Sequence, residues 1–305
     1  MVIPLLKRAV FGVFTVFGVL VLVFFLARLT GDPTNLYLPQ NATNEARAAF
    51  RTLHHLDQPI ATQFWYYLQD LAHFDFGHSM LRQRPAMESA LQAFPNTLKI
   101  AAVSLLIAIS AALVVGSLAA YRPGGLFDRL SSTASLAGAS APDFWVAIVG
   151  VLVFSVALRW LPTSGTGGIL YWIMPVAVLS LRPFGLLVQV VRGAMIGALS
   201  SAYVKTAQAK GVHPRAIIFK HALRNSMLPV ITVAGDIAAT VVNGAVVIET
   251  VFGWPGIGKL TIDAITQRDF PILQACVLVT AIAVFVINVI VDLLYSALDP
   301  RVRTK

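Results

Sequence analysis

The chain has 305 residues, of which 57% are hydrophobic and only 12% are charged, and its mean hydropathy is +0.76. Soluble domains carry about 25% charged residues, so this composition excludes an ordinary soluble globular protein. The formal net charge of +9 would suggest a nucleic-acid partner in a soluble protein. In a membrane protein such charges collect in cytoplasmic loops, and we therefore predict no nucleic-acid partner.

Six apolar stretches are long enough to cross a bilayer. A spanning segment needs about 20 apolar residues, and the absence of water in the bilayer core forces each one to be a helix. The first follows Lys7 and Arg8 and ends without an A-x-A-like cleavage site, so we predict a retained helix rather than a signal peptide. The stretches are approximately 9–29, 97–121, 131–157, 170–195, 229–251 and 273–297.

Residues 30–95 form a polar region that we predict to lie outside the membrane. Apolar residues recur at spacings of three and four between Asn44 and Phe76, which predicts helix, and Asp57-Gln58-Pro59 predicts a break into two pieces. The region is too short for an independent enzyme domain, so we predict a small extracytoplasmic cap. Its histidines have no standard metal-ligand spacing, and we predict no metal site. The lone Cys276 is predicted to be a small apolar filler.

The charges between the apolar stretches predict the orientation of the chain. The loop between the fourth and fifth stretches has five basic residues and no acidic one, whereas the segments on the other side mix basic with acidic residues. Basic loops remain cytoplasmic, so we predict that both termini face the cytoplasm. The five basic residues are Lys205, Lys210, Arg215, Lys220 and Arg224.

Residues 203–229, which we call the elbow, have an unusual order of helix signals. Tyr203 to Lys210 predicts a short helix with small residues, and Gly211 follows as expected for a helix C-cap. Pro214 suits the first turn of a second helix running to about Asn225, and Leu228-Pro229 is predicted to begin the next span. The pattern is equally compatible with a surface that docks a partner protein and with an ordinary basic loop.

The elbow resembles the cytoplasmic "EAA" loop of ABC importer permeases, and more narrowly that of the dipeptide, oligopeptide and nickel permeases. Lys205 stands where the general motif has Glu, and the spacing from the glycine to Leu-Pro is longer, both as in the peptide branch. The matching residues are Tyr203, Thr206, Ala207, Ala209, Lys210 and Gly211, followed by His221, Ala222, Leu223, Arg224, Asn225 and Pro229.

Signatures of the same family occur along the whole chain. They are residues 31–33, 56–59, 76–79, 161–165, 249–258 and 298–301. The resemblance implies an all-α integral membrane protein with the type I ABC importer permease fold. It implies an N-terminal transmembrane helix at 1–30, a cap at 31–95, a five-helix core at 96–297 with an ATPase-coupling loop at 196–228, and a cytoplasmic tail at 298–305.

The resemblance also implies a function and a set of partners. The chain would be a permease subunit that translocates di- or oligopeptides across a bacterial inner membrane by alternating access. It has no GxxxxGK[ST] phosphate loop, so we expect no enzyme activity and no cofactor of its own. ATP and Mg would bind to two partner ATPase subunits. A second homologous permease, preferably a different one, an extracytoplasmic substrate-binding protein and the lipid bilayer complete the set.

Other functions stay open at this point. Nickel complexes, glutathione or another small solute are alternative cargoes of the same machinery. An ATP-independent secondary transporter would need an inverted repeat with broken helices at matching positions, and none is visible. A membrane-embedded enzyme would need paired acids, His-Glu-x-x-His or Ser/His within the spans, and the polar residues there form no such set.

Three groups of candidate site residues follow from the resemblance and from charge. The coupling loop comprises Tyr203, Lys205, Thr206, Ala207, Ala209, Lys210, Gly211, Pro214, Arg215, His221 and Arg224. Charges within spans are functional candidates, so Arg182, Asp236 and Asp143 are assigned to a substrate path, with structural pairing as the alternative. Glu249, Trp254, Pro255 and Gly256 are candidates for an outer gate, with interfacial anchoring by Trp254 as the alternative.

Overall fold

The computed structural model describes residues 2–29, 34, 38, 41–53, 55–73, 75–79 and 81–298, without the side chains of 2–9, 27–29, 292 and 294–298. The signatures predicted at 31–33 and 299–301 lie outside the described residues. The chain divides into two compact units. The first comprises Met1–Pro95 and Pro255–Phe285, and the second comprises Asn96–Trp254 and Val286–Lys305.

Helices account for most of the described chain, with one short antiparallel hairpin that pairs His78 with Pro85 and Ser79 with Arg84. In chain order the elements are α1 (Val2–Leu29), α2 (Asn44–Leu53), α3 (Ile60–Ala72), β1 (His78–Ser79), β2 (Arg84–Pro85), α4 (Ala86–Tyr121), α5 (Leu126–Ser140), α6 (Asp143–Gly150) with a π-helical extension (Val151–Ala157), α7 (Leu170–Leu199), α8 (Ala202–Ala209), α9 (Pro214–Ala216), a π-helical segment (Ile217–Ala222), α10 (Leu223–Val251), α11 (Ile257–Thr266) and α12 (Phe270–Leu298).

Four helical stretches in the described part of the chain are long and apolar enough to cross a membrane. They are α4, α7, the continuous stretch Pro214–Val251 and residues Phe270–Val291 of α12. The pair α5–α6 adds a fifth if it counts as one span, and α1 contributes a shorter apolar stretch at Val10–Leu26. The described residues therefore give four or five full-length spans, where the apolar stretches predict six.

The prediction of one uninterrupted third span at 131–157 is wrong. Helices α5 and α6 meet at an angle of 102°. Pro142 disfavours helical geometry in the residue before it, and Ala141 accordingly has an extended backbone with ψ 133°. A hydropathy window does not register this break because Ala141 and Pro142 interrupt the helix without adding charge.

The first unit is held together by an apolar core and by polar contacts at the hairpin. The Phe24 ring stacks on that of Tyr67, with centroids 4.9 Å apart, and joins α1 to α3; burial raises the pKa of Tyr67 to about 12. Ser79 donates a hydrogen bond to the buried carboxylate of Asp269, which also caps the start of α12. Cys276 is buried in this core, as predicted, and the predicted break between α2 and α3 is confirmed.

The second unit is built on close contacts between helices α5, α7 and α10. A Cβ on Gly185 of α7 would lie 2.2 Å from the carbonyl oxygen of Ser135 in α5, so only glycine permits this approach. Gly138 of α5 lies similarly against Leu181 of α7. The same core includes Ile218 and Ala222 from the second arm of the elbow, so the elbow is attached directly to the helices of this unit.

Candidate functional site

The first arm of the elbow, α8, ends in a Schellman motif. The amide of Gly211 donates to the carbonyl of Gln208 at 2.9 Å, and the amide of Val212 donates to that of Ala207 at 3.1 Å. Gly211 has φ +73°, which is the left-handed conformation that this motif requires and that a Cβ disfavours. The predicted glycine cap at this position is confirmed.

The second arm begins as predicted but does not end as predicted. Pro214 occupies the first helical turn, and Nδ1 of His213 accepts a hydrogen bond from the amide of Arg215 at 3.3 Å. The expectation that this helix ends near Asn225 is wrong, because it continues through the π-helical segment and α10 as one helical stretch, Pro214–Val251.

Tertiary packing explains why Pro229 does not start a new helix. The Oγ of Ser226 is buried and donates to the carbonyl of Ala222 at 2.9 Å and to that of Ala194, in α7, at 3.4 Å. Val230 is also buried. A proline removes one helical hydrogen bond, and the contacts on either side of it hold the helix together. The second arm of the elbow is therefore the first part of a helical stretch that is long and apolar enough to cross a membrane.

The elbow has a buried side and an exposed side. Val204, Ile217, Ile218 and Ala222 are buried, and α8 packs against the π-helical segment, which in turn packs against α7. The other candidate residues lie mostly on the surface: Tyr203, Lys205, Thr206, Ala209, Lys210, Gly211, Pro214, Arg215 and Arg224 are exposed, and Ala207 and His221 are partly buried.

The exposed side of the elbow is basic and carries two aromatic rings. All five of its lysines and arginines are exposed, and residues 203–229 contain no acidic side chain. Tyr203 is 41% exposed and Phe219 is 42% exposed. Exposed aromatic rings beside cations are typical of the residues that dominate binding at protein interfaces, so this surface can dock an acidic partner.

A stripe of polar residues follows one face of α10, and we call it the α10 stripe. Its members are exposed and recur at spacings that place them on one side of a helix. The threonine hydroxyls at 232, 240 and 250 donate to carbonyls of the preceding turn. The side chains of Asp236 and Asn243 are therefore the members of the stripe that most require hydrogen bonds from water or a partner. The stripe consists of Thr232, Asp236, Thr240, Asn243 and Thr250.

The structure brings two of the three candidate path residues together. Asp143 lies at the start of α6, directly after the bend, and interacts electrostatically with Arg182 of α7. Its Oδ2 lies 4.0 Å from the position that a Cβ on Gly244 of α10 would occupy. Asp236 lies about 12 Å along α10 from Gly244, at 1.5 Å per residue. Both Arg182 and Asp236 are exposed.

The candidates for an outer gate lie in a packed turn. Glu249 is fully buried, and one of its carboxylate oxygens accepts a hydrogen bond from Thr97 at 2.5 Å. Trp254 is 4% exposed, donates from Nε1 to the carbonyl of Asn96 at 3.1 Å, and packs edge-on against Trp172. Interfacial anchoring by Trp254 is therefore wrong, because the ring is inside the protein. Pro255 is exposed, and Gly256 is buried as the N-cap of α11.

Two family signatures meet at residues 249–254, which we call the outer turn. The amide of Gly165 donates to the carbonyl of Phe252 at 2.8 Å. Gly165 and Gly253 both have positive φ, and a Cβ on Gly253 would lie 3.5 Å from the amide nitrogen of Gly165. The signatures at 161–165 and 249–258 therefore contact each other in the second unit through their glycines.

An ion pair between α5 and α7 is absent from the sequence-based candidates. Asp128 is 3% exposed, and its carboxylate accepts two hydrogen bonds from the guanidinium of Arg192. The one available signal was an acidic residue in a loop that otherwise carries Arg122 and Arg129. That signal does not identify the partner on a distant helix.

No group of three or more His, Cys, Asp or Glu side chains among the described residues is arranged to hold a metal ion. His55 stacks on Tyr66 with ring centroids 4.6 Å apart, and Nδ1 of His73 lies 2.8 Å from the carbonyl oxygen of Gln69. His54, another histidine of the cap, lies outside the described residues. These contacts give His55 and His73 local structural roles.

Comparison with known proteins identifies close relatives. A family model described as "Binding-protein-dependent transport system inner membrane component" matches residues 112–304. The chain is 37% identical to the di/tripeptide transport system permease protein DppB of Pseudomonas aeruginosa (strain UCBPP-PA14), over 95% of both chains. It is 36% identical to the glutathione transport system permease protein GsiC of Escherichia coli (strain K12), over 98% of both chains.

Solved structures share the fold at low sequence identity. The methionine ABC transporter MetNI in an inward-facing conformation matches with a TM-score of 0.59 and 17% identity, covering 70% of this chain and 97% of that one. An amino acid ABC transporter crystallised with histidines matches with a TM-score of 0.53 and 12% identity, covering 69% and 94%. The predicted type I ABC importer permease fold is confirmed by these matches.

Proposed function

The chain belongs to the family of binding-protein-dependent transport system inner membrane components, and on that premise we propose that it imports short peptides, with the elbow as its ATPase-docking segment. It is a permease subunit of an ABC importer in a bacterial inner membrane. Permeases of this kind work with ATPase subunits and a substrate-binding protein. We propose that the elbow and both termini face the cytoplasm, as the loop charges predict.

One observation carries the coupling proposal: the exposed elbow is continuous with a membrane span. Its second arm begins at Pro214 and continues to Val251 without a break. A displacement of the docked elbow therefore moves α10 as a lever, without an intervening hinge loop. Rigid elements of this kind let a partner's closure drive a switch between two packings, which is the basis of alternating access.

The sequence does not favour ATP hydrolysis by this chain itself. Gly253 to Lys259 has the spacing Gly-x4-Gly-Lys, but the next residue is Leu260, where a phosphate loop needs Ser or Thr. The segment follows helix α10 rather than a strand, and Nζ of Lys259 pairs with the carboxylate of Asp263 at 2.7 Å. We propose that ATP and Mg bind to partner ATPases, two per transporter.

The α10 stripe is the proposed wall of the substrate path. Ionisable side chains in a membrane face a water-filled cavity or a partner, and Asp236 is exposed on a span. Asp143 and Arg182 provide both signs of charge nearby on α6 and α7, which suits a peptide with an ammonium group and a carboxylate. We propose that a second, homologous permease closes the path on the side that this stripe exposes.

The relatives support peptide-like cargo. One is named for di- and tripeptides and another for glutathione, itself a tripeptide. We propose di- or tripeptides as the substrates. Glutathione is the second candidate on the strength of that relative, and competition between a labelled dipeptide and glutathione for uptake distinguishes them.

Substitutions at Gly211 test the coupling role. The chain is reconstituted in liposomes with its ATPases, the second permease and the binding protein, and ATP-dependent uptake of a radiolabelled dipeptide is measured. We expect Gly211→Val to reduce uptake at least about tenfold, because a β-branched residue disfavours the left-handed turn by roughly 1–2 kcal/mol and reorients the two arms.

The matched control is Gly211→Asn, because asparagine tolerates the left-handed conformation and should retain most of the uptake. Equal uptake by the Val variant and the unmodified protein would exclude the elbow from coupling. Uptake that persists without ATP would instead indicate a secondary transporter.

A further inference from the structure

The ion pair between Asp128 and Arg192 joins α5 to α7 through two hydrogen bonds, and we call this pair the clamp. Nε of Arg192 donates to Oδ1 of Asp128, and Nη2 donates to Oδ2 at 2.8 Å. Such two-point contacts fix orientation as well as distance. Asp128 is in the first turn of α5 and is almost fully buried, so water screens the pair poorly.

Further hydrogen bonds fix the carboxylate from its own side. The amide of Gly124 donates to Oδ2 at 2.8 Å, and Gly124 has φ +77° in the turn between α4 and α5. The hydroxyl of Ser132 donates to Oδ1 at 3.4 Å. Asp128 thus holds three parts of the second unit together: the turn, helix α5 and helix α7.

A second link lies one turn further along the same helix pair. Nε2 of Gln189 donates to Oγ of Ser135 at 2.7 Å and to the carbonyl of Ser132 at 3.3 Å. Beyond it, Gly185 lies in direct contact with Ser135 and Ala139. These contacts link α5 and α7 at several successive turns and oppose sliding of one helix along the other.

The two ends of the clamp lead to different functional regions. Arg192 lies about two turns before the end of α7 at Leu199, where the elbow begins. Helix α5 leads to the 102° bend and to Asp143. A displacement that enters α7 at the elbow reaches the bend through α5 only if the two helices move together.

We propose that Asp128 and Arg192 are positioning residues that transmit movement of the elbow to the α5–α6 bend. This inference rests on the docking role proposed for the elbow. Because the pair touches neither the ATPase-docking surface nor the α10 stripe, its loss should separate two quantities that normally change together. Those quantities are ATP hydrolysis stimulated by the loaded binding protein and uptake of the substrate.

The test measures both quantities in the reconstituted transporter. We expect Arg192→Gln and Asp128→Asn to hydrolyse ATP in response to loaded binding protein, while the number of ATP molecules consumed per dipeptide imported rises at least about tenfold, because each change removes the charged two-point contact that holds α5 to α7. Arg192→Lys keeps the positive charge beside Asp128 but not the two-point contact, and it should raise this ratio less than Arg192→Gln does.

Two further variants keep the test decisive if a single charge removal prevents assembly. Gln189→Leu leaves no buried charge behind and should raise the ratio about twofold to fivefold, because it removes the hydrogen bonds to Ser135 and Ser132. Asp263→Asn removes the partially exposed Lys259–Asp263 pair and should leave the ratio unchanged.

The outcomes separate this inference from the role of the elbow. An unchanged ratio in Arg192→Gln and Gln189→Leu, or an equal loss of hydrolysis and uptake in both variants, would overturn the clamp. Neither result would contradict the docking role proposed for the elbow. That role is tested separately by the comparison of Gly211→Val with Gly211→Asn.

Discussion

The elbow and the outer turn are the two glycine-containing turns that flank α10, and they differ in what surrounds the glycine. Apart from Gly211 and its two chain neighbours, no residue has an atom within 4 Å of the position that a Cβ on Gly211 would occupy, and the backbone hydrogen bonds of the Schellman motif hold that turn. Gly253 instead packs against Ser164 and Gly165, and its neighbours Phe252 and Trp254 are buried.

The difference shows that a family signature can serve binding or packing. Both turns need glycine for the same conformational reason, since φ is positive in each. At the elbow the side chains around the glycine face outward and are available to a partner. At the outer turn they fill the core of the second unit. We therefore expect changes at the outer turn to act on folding, and changes at the elbow to act on coupling.

The largest effect is expected from removing a buried ring at the outer turn. Trp254→Ala deletes the contact with Trp172 and the hydrogen bond to Asn96, and such a truncation in a core costs about 3–5 kcal/mol. We expect the variant to lose most of its accumulation in the membrane, measured by fluorescence-detected size-exclusion chromatography after detergent extraction.

The corresponding elbow variant is Phe219→Ala, which removes an aromatic ring from an exposed position. It should accumulate normally while binding the ATPase less tightly, because exposed aromatic anchors contribute at least about 1 kcal/mol to docking. Normal accumulation of the Trp254 variant, or loss of the Phe219 variant from the membrane, would remove the distinction between the two turns.

Local signals in the sequence predicted the turns better than the helices between them. The glycine cap at Gly211 and the start of a helix at Pro214 depend on neighbouring residues alone, and the structure has both. The end predicted near Asn225 is absent because packing around Ser226 and Val230 overrides the helix-breaking tendency of Pro229.

Contacts between distant segments were beyond the reach of sequence reasoning. Arg192 is 64 positions from Asp128, and nothing in the spacing of either residue identifies the other. An aromatic residue at the end of an apolar stretch is typical of a membrane interface, so the sequence favoured an exposed position for Trp254. Its burial depends on contacts with Asn96 and Trp172, which are distant in the sequence.

A smaller effect is expected midway between the turns, on the α10 stripe. Asp236 is exposed on the helix that joins the elbow to the outer turn, so its replacement should change neither folding nor docking. We expect Asp236→Asn to retain accumulation and stimulated ATP hydrolysis but to lower dipeptide uptake about tenfold, the effect of losing roughly 1.4 kcal/mol of favourable electrostatic interaction with a cationic group.

Thr240→Val is the control on the same stripe, because the Thr240 hydroxyl already donates to the carbonyl of Asp236 and leaves no buried group unsatisfied when removed. It should transport nearly as well as the unmodified protein. If Asp236→Asn transports at the full rate, Asp236 does not contribute to the path.

The smallest effect is expected from a single charge at the elbow. Lys205 is exposed on α8, and one exposed charge contributes about 0.2–1 kcal/mol to a contact. We therefore expect Lys205→Glu to weaken ATPase binding about twofold to fivefold at low salt, and the difference from the unmodified protein to shrink as ionic strength shortens the screening length. Biolayer interferometry between the detergent-solubilised chain and the ATPase, across a salt series, measures both. Arg84→Glu, on an exposed position of the hairpin outside the elbow, is the control with the same change of charge. A loss of binding that is independent of salt, or equal in the two variants, would mean that the basic surface of the elbow does not recognise the ATPase by its charge, and docking would then depend on Tyr203 and Phe219.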